Sequence, residues 1–110
     1  MIDKTISEIE DKVRNAASGN GERKQELLDL LAKLKAEIGN LEKTHSAEAG
    51  SIAGLAHASA QEATTEPMNS EKVENSVANL RSSVEGFEQS HPKLVQLIDS
   101  LSKSLASWGV

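Results

Sequence analysis

The sequence predicts an all-α protein, drawn out as a long antiparallel helical hairpin with the character of a coiled coil. Three observations carry this. One apolar stripe runs Leu27, Leu31, Leu34, Ile38, Leu41, His45, Ala49, Ile52, Ala53, Ala56, Ala60 and Ala63. A second runs Val73, Val77, Leu80, Val84, Phe87, His91, Leu94, Ile98, Leu101, Leu105 and Trp108, after the turn Thr64-Thr65-Glu66-Pro67-Met68-Asn69-Ser70. Spacings of four and three keep each stripe on one face of a helix. The third observation is composition: hydrophobic residues make up 37% and aromatics only 2%. That suits helices with one buried stripe and is thin for a β-sandwich or barrel, which draws on aromatic and β-branched residues.

The elements follow in order along a single domain, residues 1–110. Asp3 reads as an N-cap, and Ile2, Ile6, Ile9 and Val13 make a stripe of their own, so a first helix is expected over about 4–17. Gly19-Asn20-Gly21 stops it, because these residues tolerate positive φ. A second arm is expected over 22–64, with a break near 44–46 as the competing reading. Gly39, Gly50 and Gly54 each cost about 1 kcal/mol against Ala in a helix interior, so close backbone approach is expected at them. Residues 47–63 hold seven Ala and two Gly, which gives this stretch a face of small residues. Pro67 and Asn69 mark the turn, and Ser70 reads as the N-cap of a third arm over 70–108. Pro92 disfavours helical geometry at His91, yet the stripe keeps its phase across it. A kink or a tight break between nearly collinear helices is expected at 90–92 rather than a reversal, with Gly109 ending the arm.

At ~1.5 Å per residue such arms reach about 60 Å. Pairing across the turn sets 52–63 against 73–80, and 27–41 against 94–105. Leu28, Leu30, Val95 and Leu97 widen the apolar face at the open end, where the first helix is expected to pack. Two helices cover only part of each stripe. Self-association follows as an expectation, with a dimer making a four-helix section favoured. The residues expected to carry that interface are Leu31, Leu34, Ile38, Phe87, Leu94, Ile98 and Leu101.

Charge and motif content narrow the function. A net charge of −5 argues against a nucleic-acid partner, whose phosphates call for a basic stripe. The absence of cysteine excludes disulfides and thiol chemistry. The charged N-terminal segment has no apolar core of a secretory signal, and no run approaches the ~18 apolar residues that span a bilayer. A cytoplasmic protein without a membrane role is the expectation. The amphipathic segment from Pro92 to Trp108 has only Lys93 and Lys103 as cations, so packing is its expected use.

One polar group invites a chemical reading. Glu88-Gln89-Ser90-His91 is a Glu-x-x-His motif, and His45-Ser46-Ala47-Glu48 is the reverse pair at about the same height of the hairpin. His45, Glu48, Glu88 and His91 together offer two imidazoles and two carboxylates, a donor set for zinc or iron. Carboxylate-bridged bundles use Glu-x-x-His on two helices, and here the motif is read once, directly before Pro92. The alternative is a polar layer that fixes register within an apolar seam. His57 reads as a solvated or interface histidine. The serines sit in no Gly-x-Ser-x-Gly context, and no phosphate-binding glycine loop is present.

Two segments, 51–64 and 83–94, resemble a small bacterial family of helical proteins of unknown function. Its most recognisable part is the Phe-Glu-x-Ser-His-Pro-x-Leu core, here Phe87 to Leu94, followed by the ending Leu105-Ala106-Ser107-Trp108-Gly109-Val110. The resemblance covers about residues 24–110. Trp108 departs from the smaller residue that the resemblance implies there. The resemblance implies a bacterial, cytoplasmic, all-helical protein and brings no activity. The expectation is therefore a non-enzymatic, self-associating scaffold or adaptor without a cofactor, with a metal-binding bundle as the alternative.

Overall fold

A computed structural model describes residues 2–16, 21–65 and 69–108. They form five helices: α1 (Ile2–Arg14), α2 (Gly21–Glu42), α3 (Ser46–Thr64), α4 (Ser70–Ser82) and α5 (Pro92–Ala106). Among the described residues there is no strand. The core is the set of stripes the sequence displays. Ile6, Ile9 and Val13 of α1, Leu27 to Leu41 of α2, Ala49 to Ala63 of α3, Val73 to Leu80 of α4 and Leu94 to Leu105 of α5 are buried in one continuous cluster.

The extended hairpin is not what the chain makes. The molecule measures 38 × 23 × 20 Å, against the ~60 Å expected of continuous arms. Its radius of gyration of 12.9 Å matches the ~13 Å of an ordinary globular domain of this length. Each expected arm is cut in two and folded back on itself. Lys35 Nζ lies 3.2 Å from Ser7 Oγ and 3.3 Å from Glu10 Oε1, while His57 Nε2 lies 3.5 Å from Glu8 Oε2. One short stretch of α1 thus touches both Lys35 and His57, which a continuous helix would hold about 33 Å apart. Arg81 Nη2 lies 3.5 Å from Asp99 Oδ1; collinear helices would separate them by roughly 27 Å. The break at 44–46 is real, and both it and the break before Pro92 are reversals.

The result is an up-down-up-down bundle. α2 packs on α3, α3 on α4, α4 on α5 and α5 on α2, closing a ring. α3 and α5 also approach each other across the centre, which the small buried residues Ala56, Ser59, Ala60 and Ala63 permit. α1 lies in the outer groove between α2 and α3 and does not reach α5. It was expected at the open end beside 94–105. Once α3 folds back, the α2–α3 groove offers α1 a seat between Lys35 and His57.

Several boundaries differ from the sequence reading. α1 begins at Ile2, so Asp3 sits in its first turn, where its charge favours the helix dipole, rather than at the cap. Asn69, not Ser70, caps α4: its side chain accepts from the Lys72 N–H at 3.2 Å. α4 stops at Ser82, well before the break expected at 90–92. A run of tighter turns continues to Gly86, whose φ of 98° is the left-handed geometry that ends helices. At Gly39, Gly50 and Gly54 a Cβ would meet nothing within 4 Å, so these glycines mark no close approach. The expectations at Gly19-Asn20, Pro67 and Gly109 lie outside the described residues.

The stripes are not left bare for a second copy to cover. Ring closure and α1 bury the stripes within one chain, and the accessible surface of 6116 Å² is close to the ~5900 Å² usual for a monomer of this mass.

Candidate functional site

The two reversals share one end of the bundle and one local design. After α2, the His45 N–H donates to Leu41 O at 2.7 Å; after α4, the His91 N–H donates to Phe87 O at 2.8 Å. His45 then takes φ −136°, ψ 63° and His91 φ −137°, ψ 62°, and each directly precedes a helix. Pro92 forbids helical geometry at His91. Ser46 imposes no such bar, and Thr44 supports the first turn instead: its hydroxyl lies 3.4 Å from Leu41 O and 2.8 Å from His45 Nδ1.

Equal turns come from equal sequence. Leu41-Glu42-Lys43-Thr44-His45-Ser46 and Phe87-Glu88-Gln89-Ser90-His91-Pro92 share the order apolar, Glu, polar, hydroxyl, His, helix start, 46 positions apart (91 − 45). The same offset pairs Leu27 with Val73, Leu31 with Val77, Leu34 with Leu80, Ile38 with Val84 and Ile52 with Ile98, all buried. The bundle is thus two helical hairpins, α2–α3 and α4–α5, in tandem. This repeat was missed in the sequence reading, and the signal was present in the two Glu-x-x-His runs. Glu42-Lys43-Thr44-His45 is the second copy of a motif that was counted once.

The tandem arrangement brings His45, Phe87 and His91 together as a triangle of rings. Centroids lie 5.5 Å apart for His45–Phe87, 5.8 Å for Phe87–His91 and 6.2 Å for His45–His91, all edge-to-face. Such contacts contribute about 0.5–1.5 kcal/mol each between aromatic rings. The four-residue metal set is not assembled. Glu88 accepts from the Gly86 N–H at 2.8 Å, and Glu48 stands exposed in the first turn of α3. Among the described residues no group of three or more His, Asp or Glu is placed to hold a metal ion. A break near 44–46 and a kink or tight break at 90–92 were expected to leave the helices nearly collinear; because the chain reverses at both places, the carboxylates leave the face the imidazoles share. His45 and His91 meet edge to face where the two turns come together. His57, with Glu8, instead ties α3 to α1.

The residues expected at an interface lie inside. Leu31, Leu34, Ile38, Leu94, Ile98 and Leu101 are at most 1% exposed, so none can meet a partner without opening the bundle. Phe87 alone is half-buried. Trp108 is fully buried beside Arg23 and Glu26 at the opposite end, where Arg23 donates to Ser107 O at 2.6 Å and to Ser107 Oγ at 3.1 Å.

The bundle surface has four grooves. α1 fills the one between α2 and α3. An Arg81–Asp99 pair at 3.5 Å crosses the one between α4 and α5, beside an open hollow of about 180 Å³ lined by Val84, Val95 and Ile98 among others. Between α2 and α5 runs an open groove of about 480 Å³, lined by Leu30, Lys33, Glu37, Lys93, Gln96, Leu97 and Ser100. Leu30 and Leu97 are half-buried there. Among the described residues no helix is long and apolar enough to cross a membrane.

No curated protein and no solved structure matches the chain. Residues 27–110, which hold most of α2 and the whole of α3, α4 and α5, match the family described as a domain of unknown function, DUF4404. α1 lies outside the match. The matched stretch spans both hairpins and both histidine turns, and the chain belongs to the DUF4404 family.

Proposed function

We propose that this chain is a non-enzymatic helical interaction module that associates with copies of itself. The observation that carries this is the groove between α2 and α5. It combines an open surface with half-buried leucines on two facing helices, and an uncovered apolar strip with a polar rim is the usual form of a docking surface. Native mass spectrometry of the full chain, with and without chelator, tests this. A metal-free dimer or higher oligomer is the expected result. A monomer at every concentration argues against it.

Metal binding is a second reading, favoured by one observation. His45 and His91 face each other at 6.2 Å in two copies of a Glu-x-x-His turn. The same spectra report a stoichiometric metal if the pair binds one, and His91→Ala would abolish it.

A further inference from the structure

We infer that two copies of this chain pair face to face through the α2–α5 groove, about a two-fold axis running along it. This inference rests on the self-association proposed above and names its surface.

The internal repeat supplies a control within the same molecule. The tandem offset maps the α2–α5 groove onto the α3–α4 groove. Leu30 corresponds to Ser76, Lys33 to Asn79, Leu97 to Ser51 and Lys93 to Ala47. The same backbone arrangement therefore folds with small, uncharged residues at these places. The leucines and lysines therefore give the α2–α5 groove an apolar and charged character that its repeat-related counterpart lacks.

Register and charge identify a second copy as the occupant. α2 and α5 are antiparallel, with the Arg23–Ser107 bonds at one end, and Leu30, Lys33 and Glu37 line their groove together with Ser100, Leu97 and Lys93. Antiparallel order sets Leu30 beside Ser100, Lys33 beside Leu97 and Glu37 beside Lys93. Rotation about a two-fold along the groove preserves these levels and lays α2 of one copy on α5 of the other. Glu37 then faces Lys93 of the second copy, and Lys93 faces its Glu37, so the face is complementary to itself, as an isologous interface must be. Leu97 packs under the aliphatic stem of Lys33 of the second copy. Within one chain Lys33, Glu37, Lys93 and Gln96 make no hydrogen bond or ion pair among the described residues. A bundle 38 Å long and 20–23 Å across offers a face of the order of the ~800 Å² that each partner contributes to a standard interface.

Charge reversal tests the pairing. E37K and K93E, each alone, set like charges against each other twice per dimer. Mixed together, they restore both pairs in a heterodimer. Sedimentation equilibrium of the full-length chains should show a wild-type dimer, a dissociation constant raised about tenfold or more in either variant alone, and recovery in the mixture. Leu97→Asp should weaken pairing at least as much, and circular dichroism reports whether each variant keeps its helices. A wild-type dimer that E37K, K93E and Leu97→Asp all leave intact would overturn this face while sparing self-association. A wild-type chain that stays monomeric at hundreds of micromolar would overturn both, and would give the groove to a helix of another protein.

Discussion

Ser59 and Ser102 form a matched pair at the residue scale. Both are buried completely, but Ser59 Oγ donates to Leu55 O at 2.9 Å while Ser102 Oγ has no partner. An unpaired buried hydroxyl costs about 1–3 kcal/mol. Ser102→Ala should therefore stabilise the fold by ~1 kcal/mol in urea denaturation, and Ser59→Ala should be neutral or mildly destabilising. The histidine site was partly legible at this scale. Two imidazoles at one height followed from the phase of the stripes, and the structure brings them together. Their carboxylate partners did not follow, because the spacing argument kept the helices on either side of His45 and His91 nearly collinear. The same assumption put Leu34 and Ile38 at an interface, since the sequence does not say which helix covers a stripe.

At the scale of elements, the stripes were legible and the reversals were not. A stripe with spacings of four and three looks the same whether the helix runs on or folds back after a short turn. At Lys43-Thr44-His45 the chain reverses with no Gly or Pro to announce it. At the second turn Pro92 was visible, but Gly86, the residue that ends the preceding helical run, was passed over. Backbone substitutions test these assignments. His45 already has the backbone that Pro92 enforces at His91, so Ser46→Pro should be accommodated and should raise stability by roughly 0.5–1 kcal/mol through the unfolded chain. Gly50→Ala and Gly54→Ala, on open helix faces, should each add about 0.5–1 kcal/mol. Gly86→Ala should instead cost ~1 kcal/mol, because φ is positive there. Thermal and urea melts of the single variants check all of these.

For the whole molecule, closure of the ring separates core from surface in a way that a long hairpin would not. Leu34→Ala, in the core, should cost about 2–5 kcal/mol, whereas Leu97→Ala, in the open groove, should cost less than ~1 kcal/mol of folding stability. In a hairpin completed by a partner, both leucines would lie along one seam. The double reversal underlies every other property described: the paired histidines, the seat of α1 and the four grooves all require it. The chain has no cysteine, so spin labels can be placed cleanly at Asp29→Cys and Ala58→Cys, both exposed sites. Their separation, measured by pulsed electron–electron resonance in protein diluted with unlabelled chain, tests the fold directly. Reversal at Lys43-Thr44-His45 puts the two sites side by side, with a distance below about 25 Å. A separation near the ~44 Å of an uninterrupted helix would contradict it.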